Sequence, residues 1–345
     1  MLKKLTILVF GLLLTIGILP LNVLAADDGS EVGFTITPHL QANQRNTGNS
    51  FFDLAVKPDE ELDLSFDIIN SSGKEQTFDI AVNPAYTNDA GQIDYVDSDH
   101  KRDATLKVDL AKIADYEKAA TVAAGETKTI PLKIKVPAEA FQGEILGGIH
   151  VTRRTAEGEQ EGAQLVNKFA YVIGLKMTEN ETAIKRDLKL LDVNAGLSYH
   201  HTSVKAQMQN PEPTAMGHLE FDAKVTKKGS DKVIKEQKSK DLSMAPNSSF
   251  AYVIDWKNQE LEAGDYHLAL VVKDAQDNEW KFDKDFTITA KEAKKYNASA
   301  VELVKKDHTP WIYALVGLLL AIIIGFIIFL IIKRRKNEET EAEAK

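Results

Sequence analysis

Apolar and polar side chains alternate along many stretches of this sequence. Residues Leu62–Ile69 read LDLSFDII, and Thr129–Val136 read TIPLKIKV, in which every second side chain is aliphatic. A period of two places one set of side chains on the buried face of a β-sheet and the other set in water. Runs of the same kind occur at residues 104–110, 218–225, 266–272 and 280–288. The sequence therefore predicts a chain built mainly from β-strands.

Short polar segments separate these runs. They contain the glycine, asparagine and serine residues that favour tight turns, as in NSSGK at 70–74 and LEAGDY at 261–266. Many short strands joined by such turns are typical of β-sandwiches. We therefore predict an all-β fold with two tandem immunoglobulin-like β-sandwich domains, at residues 30–152 and 164–300.

The boundary between the two domains has two interpretations. Residues 153–164, RRTAEGEQEGAQ, are polar and lack periodicity, as expected of a linker. Alternatively, the segments 147–154 and 166–177 are the arms of a long hairpin with this loop at its tip. In that case the strand at 166–177 closes the first sandwich, and the boundary falls near residues 179–185. The sequence leaves both interpretations open.

The first residues of the chain have the pattern of a secretory signal peptide. Two lysines precede an apolar stretch at residues 5–24, and the small residues Ala25 and Ala26 follow. A basic start, an apolar middle and a small-residue cleavage site define such a signal, here residues 1–25, although an uncleaved anchor has a similar pattern. We expect the mature chain to be exported.

A second apolar stretch near the C-terminus predicts a transmembrane helix at residues 311–332. Trp311–Ile332 contains no charged residue, and about 20 apolar residues suffice to cross a bilayer. The basic cluster KRRK, at 333–336, predicts that the tail at 333–345 is cytoplasmic and that residues 27–308 are extracellular. No LPxTG-like sorting motif precedes the stretch, so we expect a single-pass membrane anchor. Before it, residues 290–308 have helical spacing and predict a short helix or stalk.

Composition narrows the classes of partner. The chain has no cysteine, so disulfides do not stabilise it, and this fits the outer face of a Gram-positive bacterium better than an animal ectodomain. Its formal net charge of −9 argues against nucleic acid or anionic lipid as a partner.

The sequence contains none of the common catalytic motifs. The G-x-S-x-G, H-E-x-x-H, P-loop and G-x-G-x-x-G patterns are all missing. His200 and His201 are adjacent, so in a strand they face opposite ways and do not form a metal site. The acidic loop with Asp94, Asp97, Asp99 and Asp103 resembles a calcium loop only weakly, because the glycine and the terminal glutamate of an EF-hand loop are missing. We predict no catalytic residue, no metal and no cofactor.

One turn and one glycine pair are candidates for ligand binding. Glycan recognition uses aromatic rings with nearby amides and carboxylates, and one turn offers these groups on Tyr86, Asn88, Gln92, Asp94 and Tyr95. The alternative is a structural hairpin in which the tyrosines are core residues and the asparagine shapes the turn.

Gly147 and Gly148 interrupt an apolar strand, EILGGIHV. Glycine inside a strand marks a bulge or the close approach of another group. One interpretation is a bulge within the sandwich, and the other is a bare surface on which a glycan or a partner strand lies.

Several segments resemble the WxL-interacting proteins of Gram-positive bacteria. In the first half these are FFDLAVKP (51–58), AYTNDAGQIDY (85–95) and FQGEILGGI (141–149), and in the second half QNPEP (209–213), MAPNSSFAY (244–252) and WKFDKDFTITAKEA (280–293). The resemblance implies a peptidoglycan-binding domain, then a host-binding domain, and one C-terminal membrane helix. It also implies association with secreted WxL-domain proteins.

The expected function is therefore adhesion or scaffolding at the cell surface. The expected partners are peptidoglycan, WxL-domain proteins, host extracellular proteins and, through residues 311–332, the lipid bilayer. Two alternatives stay open. One is a cell-wall hydrolase whose carboxylates come together only in space, and the other is a surface receptor that signals through a partner.

Overall fold

The structure is a computed structural model that describes residues 32–155, 168–304 and 315–330. The predicted signal peptide at 1–25 and the tail at 333–345 lie outside the described residues. The strands and helices are β1 (Phe34–Pro38), β2 (Phe52–Ala55), β3 (Glu61–Asn70), β4 (Gln76–Pro84), β5 (Tyr86–Thr87), β6 (Ile93–Asp94), α1 (Leu110–Ile113), β7 (Ala114–Tyr116), β8 (Ala119–Val122), β9 (Thr127–Lys135), β10 (Glu144–Arg153), β11 (Ala170–Thr178), β12 (Lys189–Ser198), β13 (His201–Asn210), β14 (Met216–Lys227), β15 (Val233–Met244), β16 (Ser248–Asp255), β17 (Gly264–Lys273), β18 (Glu279–Ile288), α2 (Ala290–Ser299) and α3 (315–330).

The described chain divides into two compact units, each built on two larger β-sheets, and the second unit also contains the two-stranded sheet β5-β6. The first unit has a four-stranded sheet in the order β1-β3-β9-β7 and a five-stranded sheet in the order β2-β11-β10-β4-β8. The second has a three-stranded sheet, β12-β13-β16, and a four-stranded sheet, β15-β14-β17-β18. The prediction of a chain that is mostly β-strand is confirmed.

The alternating pattern of the sequence matches burial in the first unit. In β3, Leu62, Leu64, Phe66 and Ile68 are at most 6% exposed, and the residues between them are exposed or half-buried. Strand β9 follows the same rule and pairs with β3 along its length. These side chains enter one core that both sheets of the unit share.

Strand β11 belongs to the first unit. It pairs antiparallel with β10 and parallel with β2, so it lies inside the five-stranded sheet. The first unit accordingly extends to Thr182. This is the long-hairpin arrangement. It differs from the arrangement in which the second domain begins at residue 164, because residues 170–178 complete a sheet of the first unit.

A segment between β4 and α1 folds with the second unit, which the sequence did not predict. Residues 85–94 and 100–107 belong to that unit. The Thr87 hydroxyl lies 2.6 Å from that of Ser248 and accepts a hydrogen bond from the backbone N of Ala245 at 3.0 Å. The backbone N of Ser243 donates to Gly91 O at 2.7 Å. Because Thr87 is 1% exposed, this segment is a structural part of the second unit.

Gly91→Ala is expected to destabilise the second unit by about 2 kcal/mol more than Gly229→Ala. Both glycines have left-handed backbones, with φ of +70° and +77°, so both substitutions carry the same backbone cost. A Cβ on Gly91 would lie 2.0 Å from Leu242 Cδ2, whereas a Cβ on Gly229 meets nothing within 4 Å. Overpacking of this kind costs about 1–3 kcal/mol. Calorimetry of the two variants measures the difference, and equal shifts would contradict the assigned packing.

Helix α2 packs on the second unit. Thr289 and Glu292 form a reciprocal capping box at its start. Hydrogen bonds from the Thr289 hydroxyl and backbone lower the pKa of the Glu292 carboxyl. Asn297 exchanges two hydrogen bonds with the backbone of Leu261. The predicted short helix is therefore present at 290–299 and is tied to the sandwich.

Helix α3 covers residues 315–330. Within the described part of the chain, no helix combines the length and the apolar character needed to cross a membrane. The predicted span, 311–332, extends past the described residues at both ends.

Candidate functional site

The seven residues that the sequence singles out lie in two places. Tyr86, Asn88, Gln92 and Asp94 belong to the second unit, and Tyr95, Gly147 and Gly148 belong to the first. Each group is described within its own unit.

Tyr86 is buried in the second unit. It is 8% exposed, and its ring stacks on the ring of His100 with centroids 4.0 Å apart. It starts β5, which pairs with β6 in a two-stranded ribbon. Most of its ring surface is therefore already in contact with protein.

Asn88 shapes the turn between β5 and β6. Its Oδ1 accepts hydrogen bonds from the backbone N of Ala90 and of Gln92, at 3.0 and 3.1 Å, and its Nδ2 donates to Asp94 Oδ2 at 3.0 Å. The Gln92 side chain donates to Asp241 O at 2.9 Å. These contacts are those of a structural hairpin, and a role of the turn in ligand binding stays a prediction.

The aspartates of the nearby acidic loop do not gather around a common point. Asp94 faces Asn88, whereas Asp103 accepts two hydrogen bonds from Gln209, at 2.9 and 3.0 Å. Burial opposes ionisation of Asp103, but hydrogen bonds from Thr105 and Gln209 outweigh it and lower its pKa. Among the described residues, no group of three or more potential ligands is placed to hold a metal.

The two central glycines of β10 face opposite sides of the five-stranded sheet. A Cβ on Gly147 would point into the core, 2.3 Å from Leu110 Cδ2 and 2.4 Å from Asn83 O. A Cβ on Gly148 would point outward, 2.8 Å from Val172 Cγ1 and 2.9 Å from Tyr95 Cγ. Strand β10 keeps continuous register with both β4 and β11, so the structure does not support the bulge interpretation. The missing side chains make room for neighbouring side chains and for a backbone carbonyl.

Two aromatic side chains lie over glycines on the outer face of this sheet. Gly148 is directly opposite Gly174 of β11, and we call this pair the glycine floor. Tyr95 lies over Gly148, and Phe51 lies over Gly174, with its Cβ 3.5 Å from where a glycine Cβ would be. Both rings are half-buried. Half-exposed aromatic side chains on the face of a sheet form a surface on which a sugar ring packs well.

A charged cluster lies beside the glycine floor on the same face. Lys176 Nζ lies 3.4 Å from Asp53 Oδ1 and 3.8 Å from Glu144 Oε2. Asp53 is 6% exposed and also accepts a hydrogen bond from Asn49 Nδ2 at 3.2 Å. Strand pairing fixes the cluster, because Lys176 is the register partner of Asp53. The face therefore offers aromatic surface, an amide and both signs of charge within one sheet.

Six residues of this face were not predicted as site residues from the sequence, namely Asn49, Phe51, Asp53, Glu144, Gly174 and Lys176. Two signals were available. Asp53 interrupts the apolar run FFDLAV, and Gly174 interrupts the apolar run YVIGL. A polar residue or a glycine inside an apolar strand indicates an outward-facing position or a close approach, but neither signal says that the two strands are neighbours.

Two protein-family models match this chain. Residues 34–153 match the model described as WxL Interacting Protein, peptidoglycan binding domain, and residues 160–298 match WxL Interacting Protein, host binding domain. Both families are binding domains. Comparison with curated proteins gives no match.

The solved structures that match this chain have low similarity scores. The Escherichia coli chaperone DraB is 12% identical, with 74% of this chain and 98% of that chain covered and a TM-score of 0.28. The Pseudomonas aeruginosa CupB2 chaperone is 16% identical, with coverage of 65% and 91% and a TM-score of 0.26. A PapD-like domain of human CEP192 is 9% identical, with coverage of 44% and 88% and a TM-score of 0.27. Scores this low carry no functional conclusion.

Proposed function

Because this chain belongs to the WxL-interacting protein family, we propose that it is a non-catalytic scaffold of the bacterial cell surface. Its first unit binds peptidoglycan, and its second unit binds host extracellular proteins. The family name implies secreted WxL-domain proteins as further partners. The apolar stretch at 311–332 anchors the chain in the cell membrane, with residues 27–308 outside and the C-terminus in the cytoplasm.

We place the peptidoglycan contact on the outer face of the five-stranded sheet. The observation that carries this choice is the glycine floor beneath Phe51 and Tyr95, next to the ion pair of Asp53 and Lys176. Aromatic side chains pack on the apolar faces of sugar rings, and amides and charged groups bind hydroxyls, acetamido groups and peptide carboxylates. These are the groups that peptidoglycan presents.

The double variant Phe51→Ala, Tyr95→Ala is expected to bind purified peptidoglycan sacculi at least about 10-fold more weakly than the natural chain. Truncation of a central aromatic contact commonly costs 2 kcal/mol or more in binding. The measurement is co-sedimentation of the full chain, in detergent, with insoluble sacculi. Thermal unfolding of the same sample shows how much of the protein is folded.

Tyr171→Ala is the matched control for this experiment. Tyr171 is 38% exposed. Side chains alternate between the two faces of β11, so Tyr171 lies on the face opposite to Gly174 and Lys176. On that face its ring contacts Phe34. We expect this variant to bind as the natural chain does. Unchanged binding of the folded double variant would refute the proposed face, and release of soluble wall fragments would refute the absence of catalysis and favour a hydrolase.

A further inference from the structure

The chain leaves the second unit, towards its C-terminus, at one end of the sandwich. Hydrogen bonds hold the segments at this end together. Val301 N donates to His200 O at 2.9 Å, in the turn between β12 and β13, and Val304 N donates to Asn258 O at 2.8 Å. The Thr202 hydroxyl donates to Gln259 O at 2.8 Å. We call this surface the exit end. Residues 301–304 are fixed on it by these contacts.

The exit end presents exposed apolar side chains. Tyr199 at the tip of the β12–β13 hairpin is 83% exposed, the largest value among the exposed large hydrophobic residues of the described chain. Val301 and Val304 are 46% and 61% exposed. Val301 is hydrogen-bonded to His200, the neighbour of Tyr199, so exposed apolar side chains come together here, as they do at surfaces that bind a partner or a membrane.

The fold itself does not require tyrosine at the hairpin tip. Tyr199 and His200 have φ of +46° and +64°, which is the left-handed conformation of a two-residue hairpin turn that asparagine and glycine adopt most readily. Other residues in this conformation cost about 1 kcal/mol or more. Asn-Gly at these two positions would therefore make the turn more stable. The Tyr199 ring is highly exposed, so its packing against the protein does not offset this cost.

The length of chain between the exit end and the apolar stretch limits how far this end lies from the membrane. Only residues 305–310 separate Val304 from Trp311, the first residue of the apolar stretch. An extended chain spans at most about 3.5 Å per residue, so these seven steps cover no more than about 25 Å. If residues 311–332 cross the membrane, as proposed above, the exit end lies within that distance of the lipid headgroups. Tyrosine is also a residue enriched at the membrane–water interface.

We infer that the exit end of the second unit sits on the phospholipid headgroups of the membrane that anchors the chain. Tyr199 enters the interfacial region, with its ring among the upper acyl carbons and its hydroxyl in the headgroup layer. This inference rests on the proposed membrane anchor and adds a lipid-contacting surface to the second unit. It also places the opposite end of that unit away from the membrane.

The test uses the absence of cysteine from the chain. One cysteine is introduced into the full chain, either as Lys257→Cys in the turn of the exit end or as Ala275→Cys in the β17–β18 connection, and is labelled with bimane. Both positions are exposed. They lie at opposite ends of the sandwich, and the ten-residue strand β17 that runs between these ends is roughly 30 Å long. The chain is placed in nanodiscs whose phosphatidylcholine carries a nitroxide on the headgroup.

We expect nitroxide quenching at position 257 to exceed that at position 275 by at least about threefold. Adding Tyr199→Ser to the Lys257→Cys chain is expected to reduce that quenching by about half, because the contact loses its apolar side chain. Equal quenching at the two positions overturns the inference, and quenching that Tyr199→Ser leaves unchanged overturns the role of Tyr199. Flotation with liposomes is measured first, and a chain that does not float refutes the membrane anchor together with this inference.

Discussion

A fragment of residues 27–154 is expected to remain unfolded, whereas a fragment of residues 27–182 folds cooperatively. The difference is strand β11, which lies between β2 and β10. Without it, Ile173, Leu175 and Met177 are lost from the core, where they are at most 4% exposed, and β2 loses its partner in the sheet. Deletion of an internal strand removes several kcal/mol of apolar burial from a domain whose net stability is only about 5–15 kcal/mol.

The longer fragment is expected to fold although it lacks the second unit. The buried core of the first unit contains no residue between Val82 and Leu110, so the segment that packs on the second unit is not needed for that core. Circular dichroism and urea unfolding of the two fragments make the comparison. A folded fragment ending at 154 would show that residues 170–178 are not essential to the first unit, and it would restore the boundary near residue 164.

The sequence predicts features that depend on neighbouring residues better than features that depend on residues far apart in the chain. Alternation in β3 and β9 is a local property, and each strand was predicted because neighbouring residues determine which face is buried. The partner of a strand is not a local property. Residues 170–178 alternate equally well in either domain, and only pairing with β10 assigns them to the first.

The turn at 88–92 illustrates the same limit. Its sequence, NDAGQ, predicted a turn shaped by Asn88, and the hydrogen bonds of that side chain have this role. The sequence contained no signal that Thr87 and Gly91 would contact Ser248 and Ser243. Contacts between residues this far apart depend on the packing of whole sheets, which a local pattern does not specify.

Only part of the candidate site was predicted, because the sequence shows unusual residues but not their neighbours in space. Gly147 and Gly148 stood out because glycine is unfavourable inside a strand. The reason for them is Leu110 on one face and Tyr95 on the other, and both come from segments distant in sequence. The neighbouring Gly174 and Lys176 lie on β11, so the site becomes visible only when that strand is placed in the first unit.

Gly147→Ala is expected to destabilise the first unit by about 3 kcal/mol, the upper end of the usual cost of overpacking. The new methyl group would lie 2.3 Å from Leu110 Cδ2 and 2.4 Å from Asn83 O. Leu110 is fully buried, so its side chain has little space to move. Asn83 belongs to β4, which pairs with β10 along the sheet, so its carbonyl moves only if that pairing is disturbed.

Gly174→Ala is the matched control, because it adds the same methyl group to a glycine of the adjacent strand. There the Cβ makes ordinary contacts with Phe51 at 3.5 Å, and we expect a change in the free energy of unfolding of less than about 1 kcal/mol, as for a substitution that creates neither strain nor a clash. Urea unfolding of the 27–182 fragment measures both variants. If Gly147→Ala is as mild as Gly174→Ala, Leu110 and β4 do not enclose Gly147 as described. A large loss for Gly147→Ala alone would instead mean that its glycine is required by the core, and that any ligand-binding role of the pair belongs to Gly148, which faces outward beneath Tyr95.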